Sequence, residues 1–249
     1  MSERKKHTEF GMINYLLSEA SKSNKLSKLI IFDAGGNTGE YSKTIETNLI
    51  KEKKEYEFYI FEPNLKLINR IKEKNIKNCN IYEYGLGNIK EKKIFWQHDK
   101  HVKSSFVKIN KNYFERRAEY GIKNIEAEIE TLDNFAQKNR INHINFLKID
   151  TQGFNSKVLE GAKELINNQA IDFIYTECTL GKKYENSETF YDFEKILHKN
   201  YDLYGIDTGT YYLEVVSRSF FPELNLDLFY VSKRFHAKIP DSKHPLKKL

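Results

Sequence analysis

The chain has 249 residues, 39% of them hydrophobic and 14% aromatic, enough for one α/β domain with a two-sided sheet core. Most of its formal charge of +6 sits in a tail, Ser232 to Leu249 (Lys233, Arg234, Lys238, Lys243, Lys247 and Lys248 against Asp241), and in the head Met1 to Thr8. The body is therefore close to neutral, which argues against a nucleic-acid groove. Cys79 and Cys178 fit no metal or disulfide spacing, and no apolar run reaches membrane-spanning length. A cytoplasmic protein in a reducing compartment is the expectation.

In chain order, Thr8 is positioned to cap an amphipathic helix over about 8–22 with Phe10, Ile13, Leu16 and Leu17 on one face. The run LIIFDAGGNTGEYS, Leu29 to Ser42, reads as a strand, a glycine-rich turn and a helix carrying Tyr41, Ile45 and Leu49. A second strand, Tyr56 to Phe61, stops at Glu62-Pro63, and Asn64 caps a helix expected to bury Leu65, Ile68 and Ile71. A third strand, Asn80 to Tyr84, leads into GLGN. Three strand–helix steps predict a doubly wound parallel sheet.

Between Glu91 and Glu130 the alternation breaks into strand-like pieces, KIFWQH and IEAEIE, around a polar middle. The winding resumes with INFLKID, ending at Asp150, and a helix presenting Val158, Leu159, Ala162, Leu165 and Ile166. IDFIYTE ends at Glu177 and is followed by a helix with Phe190, Phe193, Ile196 and Leu197; YDLYGID and DLFYVS then suit a terminal antiparallel hairpin. The expected organisation is a single domain over 1–231, with a ligand-binding half at about 29–90, an insertion at 91–130, a catalytic half at 131–231, and a basic tail at 232–249.

Ligands of open parallel sheets bind beyond the carboxyl ends of strands at the topological switch point. Asp33, Glu62, Asp150 and Glu177 all fall at such ends, and like charges kept close are costly unless a cation or donors offset them. The order Asp33-Ala34-Gly35-Gly36-Asn37-Thr38-Gly39 lacks the first dinucleotide glycine and places an acid ahead of the turn. That acid would repel a pyrophosphate but help to hold an ammonium, which favours S-adenosylmethionine. Glu62 would then accept bonds from ribose hydroxyls, and Gly85 and Leu86 would flank adenine.

FDAGGNTGEYS, FEP, LKIDTQGFNSKVLEGA and YTE, in this order and spacing, resemble the FkbM-type methyltransferases over roughly Ile30 to Cys178. The resemblance implies a three-layer, Rossmann-like class I methyltransferase fold, mostly parallel, with an inserted lid or hairpin. It implies O-methylation of a hydroxyl, often on a sugar of a bacterial glycan or capsule, or on a secondary metabolite. Carried over, Asp33, Gly35, Asn37, Gly39 and Glu62, with neighbours Tyr41 and Pro63, bind the cofactor. Asp150 lies at the methyl-transfer centre, and Ser104, Ser105 and Gln152 are assigned to the acceptor. Two departures stand out. Asn155 replaces an acid frequent in the family, and Gly36 stands where alanine is usual, a change expected only to loosen the backbone.

Asp150 and Glu177 are the first candidates for general base, directly or through a shared Mg²⁺. His98 and His101 in the insertion compete for that role, and His98 is carried as the third catalytic candidate. His143, His198, His236 and His244 are read as structural or surface residues. Trp96, with Ile94 and His98 at alternate positions, is either an aromatic wall of the acceptor pocket or a strand packed on the core. Tyr211 and Tyr212 are candidates for stacking on a sugar, and the basic tail is a candidate contact for an anionic surface. The acceptor is expected to be a small molecule or glycan precursor. Alternatives are a non-catalytic binding module or scaffold on the same fold, and an NAD(P)-dependent oxidoreductase.

Overall fold

The computed structural model describes residues 9–23, 28–99, 101–110, 121–181, 183–186, 188–207 and 224–239. The expected cap at Thr8, Tyr211, Tyr212, His244 and the tail beyond Ile239 lie outside them. The central sheet has seven strands: β1 (Leu29–Ala34), β2 (Tyr56–Phe61), β3 (Cys79–Tyr82), β7 (Ile144–Ile149), β8 (Ile171–Leu180), β9 (Tyr201–Asp207) and β10 (Leu224–Ser232). Their order is β3-β2-β1-β7-β8-β10-β9, parallel except that β10 runs antiparallel to both β8 and β9. The terminal hairpin is thus inserted with its second strand inside its first.

Period-two alternation sends Ile31 and Phe32 to opposite faces, and each face buries its own core. One core takes Ile13 and Leu16 from α1 (Glu9–Ser23), Ile45 and Leu49 from α2 (Glu40–Lys51), and Ile68 and Ile71 from α3 (Leu65–Glu73). The other takes Leu132 and Phe135 from α4 (Leu132–Lys138), Val158 and Leu159 from α5 (Asn155–Glu160), Leu165 and Ile166 from α6 (Lys163–Asn167), and Phe193 and Leu197 from α7 (Phe190–Leu197). The result is the three-layer, doubly wound architecture implied by the resemblance. Among the described residues, no helix is long and apolar enough to cross a membrane.

Several local expectations change. On α3 the Asn64 side chain accepts from Lys66 N as predicted, but Leu65 is 58% exposed and Leu67 is buried instead. The expected helix over 155–166 breaks into α5 and α6 at Gly161, where a Cβ would lie 1.9 Å from the Gly87 carbonyl oxygen. β8 continues past Glu177 to Leu180. The insertion is a small sheet, β4-β6-β5, in which β5 (Glu91–His98) pairs antiparallel and β4 (Gly85–Leu86) parallel with β6 (Ile122–Glu130). Ser232 caps α8 (Lys233–His236), and Phe235 and Ile239 pack into the core, so packed structure extends past residue 231.

Candidate active site

β1 lies between β2, which leads outward to β3, and β7, which leads to the other half of the sheet. At the carboxyl ends of these strands is a cleft of about 570 Å³. The turn after β1 contributes Gly35 and Asn37, the end of β2 Glu62 and Pro63, β4 Gly85 and Leu86, and the loop after β7 Asp150, Thr151 and Gln152. Phe95, His101, Val102, Ser104 and Phe106 cover it from the insertion.

Backbone contacts hold the turn. Gly35 N and Gly36 N both donate to Phe61 O (2.9 and 3.1 Å), and Asp150 N donates to Ala34 O (2.9 Å). Gly35 has φ 86°, and a Cβ there would lie 2.0 Å from Asp150 O, so only glycine lets the two loops cross this closely. Gly36 does not loosen the turn as expected: a Cβ would lie 2.2 Å from Ile60 Cγ2, so glycine is required for packing.

Glu62 is buried in the cleft wall, and its two oxygens accept from Asn37 N and Asn64 N, each at 2.8 Å. Burial pushes its carboxyl up to about 7, against the opposing effect of those N–H groups and of Lys148. Each oxygen retains acceptor capacity on the cleft side. Asn37 has φ 49°, and its Oδ1 is buried with no hydrogen-bond partner among the described residues. A buried acceptor of this kind fits a ligand donor such as an ammonium.

Asp33 was expected to meet that ammonium, and the structure places it elsewhere. It lies behind the turn, accepting from Ser42 Oγ (2.6 Å) and from the buried Lys148 Nζ (2.8 Å), which also donates to Gly35 O (3.0 Å). Burial alone would lower the Lys148 ammonium, but Asp33, Asp150 and Glu62 hold it above its ordinary value. Tyr41 also lies behind the cleft, its ring 5.0 Å from Lys148 Nζ and stacked on Tyr175. Gly39, with φ 78°, is the N-cap of α2. These three shape the site without lining it. Lys148 is a further residue of the site, and a lysine inside the apolar run INFLKI is its sequence signal.

Asp150 faces the cleft with its side chain 38% exposed. Its Oδ1 accepts from Gln152 Nε2 (2.8 Å), and its Oδ2 is 4.0 Å from Lys148 Nζ. The same Gln152 amide reaches Glu177 Oε2 at 3.3 Å, while its Oε1 accepts from Tyr184 Oη at 2.7 Å. Asp150 and Glu177 are therefore brought together, but by a neutral amide, and Glu177 does not line the cleft. Among the described residues, no group of three or more His, Cys, Asp or Glu could hold a metal ion. Asn155 makes a tie that an acid cannot, since its Oδ1 accepts from Thr151 N and Oγ1 while its Nδ2 donates to Glu177 O, all at 2.7 Å.

In the insertion, Ser104 lines the cleft and its hydroxyl accepts from His98 N (3.1 Å). Ser105 is buried and serves as a latch, its Oγ donating to Gln152 O (2.7 Å). His98 does not line the cleft and faces a neighbouring cavity; His101 borders both. The aromatic wall is Phe95, not Trp96, because the opposite alternation of β5 points inward. Trp96 is half-buried with Lys108 Nζ 5.2 Å from its ring centroid, and Ile94 is exposed.

The family model for the methyltransferase FkbM domain matches residues 33–203, more than half of the chain. Solved structures similar to the chain include an FkbM methyltransferase from Methylobacillus flagellatus KT (12% identity, TM-score 0.47, covering 84% of this chain and 47% of that one). Another is a precorrin-6y C5,15-methyltransferase from Geobacter metallireducens GS-15 (11%, 0.40, 88% and 87%). A third, from Burkholderia thailandensis, is bound to S-adenosyl-homocysteine (9%, 0.40, 88% and 75%). The chain spans about half the length of the first. No curated protein matches it.

Proposed function

The chain belongs to the FkbM methyltransferase family, and from that premise we propose that it transfers a methyl group from S-adenosylmethionine to a hydroxyl of a small polar acceptor. The acceptor class is a sugar or phosphorylated sugar precursor of a bacterial surface glycan. The observation that carries the cofactor reading is the unpartnered, buried Asn37 Oδ1 beside Glu62, two acceptors lining one cleft at the switch point. Asn37 Oδ1 suits the methionyl ammonium, and Glu62 suits a pair of ribose hydroxyls.

When bound, S-adenosylmethionine supplies a methyl group made electrophilic by its sulfonium. The residues of the chain hold the acceptor and manage its proton. Phe95, Phe106 and the latched insertion restrict water and orientation, which is where most of the rate gain of a displacement arises. Asp150, held by Gln152 and partly exposed to the cleft, takes the proton of the attacking hydroxyl. General-base catalysis contributes roughly 10²–10⁴-fold. Isothermal titration with S-adenosylhomocysteine (SAH) and a methyl-donor assay over sugars and sugar phosphates test the reading. Asp150→Asn should lower turnover by about that factor and leave SAH affinity unchanged; near-normal turnover would sink the assignment of Asp150.

A further inference from the structure

Beside the cofactor cleft lies a second cavity, of about 520 Å³. We propose that it binds a phosphoryl-type oxyanion and holds a phosphorylated acceptor by that group. The anion site stands on its own geometry; its use by an acceptor rests on the methyltransferase reading.

Three cations converge on the cavity from two elements: Lys66 and Arg70 from α3, and Lys123 from β6. Asp99 is the one carboxylate in its lining. Among the described residues, none of the three cations has a carboxylate within 4.0 Å. Their neighbours Lys72 and Lys74 reach Glu83 and Glu40. Unpaired cations gathered around a concavity concentrate positive potential there, and a guanidinium fork matches two phosphoryl oxygens.

The floor is polar and buried. Gln97 Nε2 donates to Asn64 Oδ1 at 2.8 Å, and His98 lies beside them. His101 Nδ1 is buried with no hydrogen-bond partner among the described residues, leaving a ring nitrogen for a ligand oxygen. The positive field reaches both imidazoles. Burial and then Arg70 lower His101, while burial and then Lys103 lower His98, with Asp99 opposing. His101 also borders the cofactor cleft, so a molecule anchored here by its phosphoryl group extends directly toward that cleft.

The test uses the full chain at low ionic strength, where such contacts are least screened. Inorganic phosphate, glucose 6-phosphate and glucose are titrated calorimetrically into wild type and into the double variant R70Q/K123Q, each saturated with SAH. Both replaced side chains are exposed, so SAH affinity and thermal stability should not change. The proposal expects the phosphorylated probes to bind wild type and to weaken about tenfold or more in the variant, with glucose alone not binding. Tighter binding of glucose 6-phosphate than of phosphate assigns the group to an organic acceptor, and equal binding to a free anion; either supports the site. No phosphate binding to wild type, or equal binding to the variant, overturns it. Failure of SAH to bind would instead overturn the methyltransferase reading and leave the phosphate result interpretable.

Discussion

Glu62 allows the cofactor reading to be tested by pH alone. Its carboxyl is raised to about 7 by burial, so about one in eleven is ionised at pH 6 and about ten in eleven at pH 8. If ribose hydroxyls bind the ionised form, SAH affinity should rise about tenfold over that interval and level off above it. Folding carries the opposite slope. A carboxyl raised from 4.5 to about 7 contributes stability below pH 4.5 that is lost as pH rises through 7, about 3 kcal/mol in full. The ligand-free protein should therefore lose thermal stability over the window in which SAH binding strengthens. Glu62→Gln should flatten both slopes and weaken SAH about 10–100-fold, the worth of charge-assisted hydrogen bonds. His101 also faces the cleft, held below its ordinary value by burial and then Arg70, and its variant serves as the control. His101→Gln should leave the slope in place. An E62Q protein that retains the wild-type pH profile would refute the role of Glu62.

Lys148→Met leaves Asp33 buried and unpaired and should cost about 3–5 kcal/mol in urea unfolding, most of it recovered by adding Asp33→Leu; additive losses would refute the pairing. Asn155→Asp turns the donor to Glu177 O into an acceptor facing an acceptor and should cost about 1–3 kcal/mol. An unchanged unfolding midpoint, together with acquired Mg²⁺ binding by calorimetry, would show that the position is an altered metal ligand. Gly36→Ala should cost about 1–3 kcal/mol through its clash with Ile60, and a double-mutant cycle with Ile60→Ala should show coupling; independence would remove the packing argument.

The succession of strands and helices and the two-sided core were legible because apolar alternation and strand–helix spacing report local geometry directly, whereas the spatial order of the strands was not read from them. The cleft was legible to the same depth: Gly35, Asn37, Glu62, Gly85, Leu86 and Asp150 all line it. What escaped was long-range pairing. Nothing local says that Asp33 meets Lys148, 115 residues away. The same holds for Asn155, whose two ends reach different loops. In the insertion the aromatic wall stands one residue before the Trp96 candidate. In β5 both alternating sets contain aromatic and polar side chains, so the pattern does not tell Phe95 and Gln97 from Trp96 and His98.

Four carboxylates at one sheet edge require compensation, and the structure supplies it from within the chain. Lys148 lies within hydrogen-bond reach of Asp33 and 4.0 Å from Asp150, and it lowers Glu62 from the level burial alone would set. The Gln152 amide joins Asp150 to Glu177 with neutral donors. The offset expected from a cation or from hydrogen-bond donors is thus supplied by both, an ammonium and an amide. This division leaves each acid with a separate task. Asp33 is consumed in holding Lys148, Glu62 keeps acceptor capacity toward the cleft, Glu177 shares the Gln152 amide outside the cleft lining, and Asp150 takes that amide while facing the cleft. Such an arrangement is consistent with the proposal that the site orients two ligands and that Asp150 takes the proton.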